Sequence, residues 1–103
     1  MKRVISTSEV VGKVELPEGD AEVCALADAA FDEAAGQLTV KLEAFLRPVG
    51  LLVKERHFRK DWLPDNQIIT ESVGAEECGE MARDIFHRWV RKVRDSAPHL
   101  HPV

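Results

Sequence analysis

Between Gly74 and Arg94 the apolar residues recur at spacings of three, four and seven, and no other stretch constrains the fold as tightly. Cys78, Met81, Ala82, Ile85, Phe86, Trp89, Val90 and Val93 fall on one face of a helix of 3.6 residues per turn. They fill about half of the helical circumference, a width suited to a helix laid across a sheet. The opposite side carries Glu77, Glu80, Arg83, Asp84, His87, Arg88, Arg91 and Arg94. Charge is also sorted along the axis. Glu76, Glu77 and Glu80 stand near the start, and Arg88, Arg91, Lys92 and Arg94 near the end, so both groups oppose the helix dipole. The spacing predicts ion pairs from Asp84 to Arg88 and from Glu80 to Arg83. It also predicts Gly74 as the N-cap with Glu77 at the third helical position. Pro98 forbids continuation beyond Ala97.

A helix with so wide an apolar face needs a partner layer, and 103 residues are enough for one core. The expected organisation is a single domain over 1–97 with a flexible tail at 98–103. Hydrophobic residues make up 45% and charged residues 31%, the balance of a soluble globular chain. No apolar run is long enough to span a bilayer, and Met-Lys-Arg-Val-Ile-Ser is no signal peptide, so a cytoplasmic location without membrane contact is expected. Two cysteines, Cys24 and Cys78, do not make a disulfide scaffold and read as small buried hydrophobes.

The partner layer is read from 2–73. Val4 and Ile5, then Val10, Val11, Val14 and Leu16, suggest one or two short strands over 2–16, and Pro17-Glu18-Gly19-Asp20 a turn. Residues 21–35 admit two readings. As a helix, Val23, Leu26, Ala27, Ala30, Phe31 and Ala34 share a face, and seven alanines favour it. As a strand, Phe31 leads through an Asp-opened turn closed by Gly36 into Leu38-Thr39-Val40. Asp32 and Glu33 would oppose the dipole at the end of the helix. From Gln37, Leu38, Val40, Leu42, Ala44 and Leu46 alternate with polar residues and Phe45, the pattern of a half-buried strand with Phe45 on its outer face. Arg47-Pro48-Val49-Gly50 reads as a turn, Leu51–Arg59 as a return strand, Asp61–Asn66 as a loop and Gln67–Val73 as a short strand. The expected fold is therefore α+β: a meander-like antiparallel sheet of about three to five strands with the C-terminal helix on one face.

Chemistry is sparsely signalled. The histidines, His57, His87, His99 and His101, show no metal-site spacing with the cysteines, and the six glycines form no phosphate loop. No nucleophile–base–acid arrangement stands out, so no cofactor, metal or enzymatic activity is expected. Net charge is −4, distributed unevenly. Residues 1–40 hold three basic against eight acidic groups, whereas 41–103 hold eleven against ten. Two basic clusters result. In the first, Lys54, Arg56, Phe58 and Lys60 alternate onto one strand face, cations around an aromatic ring, as single-strand nucleic-acid grooves require. The second is the helix end, with Arg83, Arg91 and Arg94 turned away from the apolar arc. Each has a plainer account: Phe58 belongs to the core, and the charges are a solvated surface. The leading expectation is a non-enzymatic interaction or regulatory domain that pairs as a homo-oligomer or with a protein partner. A single-stranded nucleic-acid binder is the alternative.

Overall fold

A computed structural model describes residues 2–16, 19–49 and 63–96. They form four strands, β1 (Lys2–Leu16), β2 (Gly19–Asp32), β3 (Gln37–Pro48) and β4 (Gln67–Ser72), followed by the helix α1 (Cys78–Ser96). The strands lie in the order β1-β2-β3-β4, each antiparallel to the next, with α1 packed across one face. This is the expected α+β meander closed by its C-terminal helix. The expected return strand over 51–59 and the tail at 98–103 lie outside the described residues.

The ambiguity over 21–35 resolves as strand. Ala21, Val23, Ala25, Ala27, Ala29 and Phe31 are all buried, and they alternate with Glu22, Leu26, Asp28 and Ala30, which are partly exposed. That period of two sets one face of β2 toward the helix. The alanines that favour helix locally serve here as a row of small side chains. Beneath them the sheet surface is low, and α1 lays Ile85, Phe86, Trp89, Val90 and Val93 over it in the same buried cluster. Facing large side chains with small ones fills an interface without voids. Leu38, Val40, Leu42 and Ala44 of β3 complete the floor.

Asp32 opens the turn into β3. Its Oδ1 accepts hydrogen bonds from the amides of Ala34 at 3.1 Å and Ala35 at 3.3 Å. Gly36 closes the turn at φ 62°, the left-handed region, and its carbonyl accepts from the Val73 amide at 3.0 Å. A side chain at Gly36 would meet only ordinary contact, so the constraint there is conformational. Gly36→Ala is expected to cost about 1–2 kcal/mol for holding an L-residue left-handed, read as a lowered midpoint in urea unfolding.

Several boundaries differ from expectation. Of the one or two short strands expected over 2–16 the structure has one, longer than expected at fifteen residues, with a register shift between Val10 and Gly12, so Val11 is extra. This bulge breaks the apolar alternation that would mark a single long strand. Gly19 and Asp20 pair with Leu16 and Glu15, inside the expected turn. β3 continues through Pro48, and the Val49 amide donates to the Asp20 carbonyl at 2.9 Å, so pairing outlasts the expected break at Arg47. The helix begins later than expected. The Glu77 amide donates to the Gly74 carbonyl at 3.1 Å in a tight turn, and the first i to i+4 bond runs from Met81 to Glu77 at 3.0 Å. Glu77, not Gly74, therefore occupies the capping place. Asp84 pairs with Arg88 at 2.5 Å as the spacing predicts, whereas Glu80 and Arg83 form no ion pair among the described residues.

Candidate interaction site at the free edge of the sheet

A meander has two outer strands, here β1 and β4. β4 is short, at six residues, and shortness is one of the ordinary ways of blunting an edge. β1 is fifteen residues long, and Ile5, Ser6, Thr7, Ser8, Glu9 and Val10 are all exposed. Among the described residues no strand pairs with its free side. A proline, a lysine or a bulge commonly disarms such an edge. The bulge of β1 lies beyond Val10, and the stretch from Ile5 to Glu9 contains neither proline nor lysine.

β1 and β2 also set the two faces beside that edge. Toward the helix, Ile5, Thr7 and Glu9 pair with Ala29, Ala27 and Ala25. Because α1 lies chiefly over β2 and β3, it leaves an open groove of about 300 Å³ over β1. Ile5, Ala27, Ala29, Ala82 and Phe86 give it an apolar floor and wall, and Thr7, Glu9, Arg83 and His87 a polar rim. A second groove, of about 320 Å³, lies on the other side of α1 between Ile69 and Glu71 of β4 and Arg88 and Lys92. On the far face of the sheet Val10, Cys24 and Phe45 stand in one row across three strands. Val10 is 46% exposed and Phe45 38%, as expected for its outward position, while Cys24 between them is buried. Ser6 donates to Asp28, and Arg47 pairs with Glu22, so polar contacts bracket the row.

The helix cations spread over three sides of α1. Arg83 reaches the groove over β1, and Arg94 on the same side meets Glu9 of β1 at 3.8 Å. Arg88 and Lys92 face the β4 side, with Arg88 held by Asp84. Arg91 is exposed and turned away from the sheet. The structure thus brings Arg83 and Arg94 to one side of the helix and leaves Arg91 apart. Lys54, Arg56, Phe58 and Lys60 lie outside the described residues.

Both cysteines are free thiols. Burial pushes the Cys24 thiol above its ordinary value, against the opposing pull of Arg47. A thiol that is hard to ionise is a poor nucleophile. Among the described residues no group of three or more His, Cys, Asp or Glu side chains is placed to hold a metal ion, and no helix is long and apolar enough to cross a membrane.

The reading of residues 2–16 as one or two short strands did not show a single fifteen-residue edge. The available signal was Gly12 inside a β pattern, which marks a bulge and joins the apolar groups on either side into one strand. Comparison with protein-family models, with curated proteins and with solved structures found no match.

Proposed function

We propose that this chain is a small non-enzymatic interaction domain that self-associates by strand addition along β1. The carrying observation is the side of β1 that no strand covers among the described residues, where alternate residues of the exposed stretch from Ile5 to Val10 turn main-chain donors and acceptors away from β2. An edge of this kind is a template for another strand, and main-chain hydrogen bonds supply the affinity. A second copy is the simplest occupant because an antiparallel strand pair closes under a two-fold axis.

The test is hydrodynamic. At roughly 100 μM, a concentration that populates complexes of micromolar affinity, sedimentation equilibrium is expected to report a dimer. Thr7→Lys places a lysine on the edge at an exposed position, which opposes strand addition in any register, and is expected to give a monomer with an unchanged circular dichroism spectrum. A wild-type chain that stays monomeric at that concentration overturns the proposal. Salt-dependent binding of a single-stranded oligonucleotide with β1 untouched would favour a polyanion surface instead.

A further inference from the structure

We infer that the two copies pair β1 against β1 in one register, antiparallel about a two-fold axis at Thr7. In this register Glu9 of the second copy enters the groove beneath Arg83. The inference rests on the self-association proposed above and adds its geometry.

An antiparallel pair related by a two-fold axis perpendicular to the sheet keeps facing residues on one face. Both helices then lie on the same side of a continuous eight-stranded sheet. With the axis at Thr7, Ile5 faces Glu9 of the second copy, Ser6 faces Ser8, and Thr7 faces itself. The side chains set over the groove by β1 are Ile5, Thr7 and Glu9. They form a sequence of apolar, polar and acidic groups symmetric in position about Thr7, so each copy presents its acid opposite the apolar position of the other.

That placement answers a charge left open in the single copy. Arg83 lines the groove together with Ile5, and among the described residues it has no ion-pair or hydrogen-bond partner. Glu9 touches Arg94 through Oε1 alone, at a loose 3.8 Å. Its other oxygen is available to a second guanidinium, and Arg94 holds the carboxylate on the helix side of the sheet. Ile5, one of the exposed large apolar residues, gains cover from the aliphatic part of the incoming Glu9. An axis at Ser8 would draw the Val10–Gly12 bulge into the paired stretch, where the ladder is broken. An axis at Ser6 would slide Glu9 past Ile5 and away from this groove. With the axis at Thr7 the two grooves join into one trough between facing helices, with Arg83 and His87 contributed from both sides.

The experiment uses the full chain. Arg83→Glu is expected to weaken the dimer at least about tenfold in sedimentation, since two like-charged contacts replace two attractive ones. Arg83→Glu combined with Glu9→Arg is expected to regain most of that loss. Arg94→Ala, which removes only the contact within one chain, is expected to change dimerisation far less. Register is read independently by single cysteines at Thr7, Ser6 and Ser8 in a background that replaces both native thiols, Cys24→Ala and Cys78→Ala. Oxidation is expected to link Thr7→Cys fastest, because only that position faces itself. A monomeric wild type overturns the self-association and this register together. A stable dimer indifferent to Arg83→Glu, or one that links fastest through Ser6→Cys, overturns the register and leaves self-association standing.

Discussion

Trp89→Ala is expected to lower the stability of the domain by about 3–5 kcal/mol, the range for emptying a buried aromatic site. Trp89 is 2% exposed, the largest of the fully buried side chains, and sits where α1 crosses the sheet. Truncation removes the apolar contact and leaves a void that the rigid floor of β2 and β3 cannot close. It also removes a polar contact, because the indole Nε1–H donates to the main-chain carbonyl of Glu43 at 3.2 Å. Trp89→Phe separates the two effects. It keeps most of the ring and loses the donor, so it is expected to cost about 1–3 kcal/mol, the scale of a lost hydrogen bond to a partly buried acceptor plus a small cavity. Urea unfolding followed by far-ultraviolet circular dichroism measures both. Domains of this size hold roughly 5–15 kcal/mol in all. Trp89→Ala thus removes a large share of the total and can leave the chain partly unfolded at 25 °C. An alanine variant within about 1 kcal/mol of wild type, the typical effect of an ordinary substitution, would mean that α1 does not close the core.

This dependence on one helix was legible in the sequence because a 3.6-residue period sustained over nineteen residues is met only by an amphipathic helix. The buried set of α1 is the one the spacing marks, with Cys78, Met81 and Ala82 packed at its margin. β3 was equally legible, because the alternation of apolar and polar residues from Leu38 to Ala44 is that of a half-buried strand. β2 was not, and the reason is physical. Alanine is a strong helix former and an indifferent strand former, so local preference and tertiary demand point in opposite directions over 21–30. What decides is the bulk of Phe86 and Trp89 on an element more than fifty residues away, which no local window contains. The one local clue was Asp32 with Gly36, and both take the turn roles that the strand reading assigned to them. The candidate site was less legible still. Net charge and basic clusters draw attention to cations, yet the exposed edge of β1 is a string of serine and threonine with no motif in it. Edge status is a property of strand order, and strand order is not written in any one strand.

The alanine row also yields the sharper test of how sheet and helix fit. Ala25→Leu is expected to destabilise the domain by about 1–3 kcal/mol through overpacking, although leucine is the more hydrophobic residue. Ala25 is 0% exposed and lies mid-strand between Glu9 of β1 and Ala44 of β3. Three added carbons at that point must push α1 outward or force a neighbouring side chain from its rotamer. Either response loosens the contacts of Trp89 and Phe86. The control is Ala30→Leu on the same strand, which points to the outer face and is partly exposed. There the added carbons meet solvent and the change is expected to stay within about 0.5 kcal/mol. Composition, strand propensity and hydrophobicity change equally in the two variants, so a difference between them isolates the volume available under the helix. If both cost the same, the small residues of β2 are not spacers and some other feature sets the height of α1. If Ala25→Leu alone is costly, the alanines that make this segment look helical are what allows a tryptophan-bearing helix to lie flat on it.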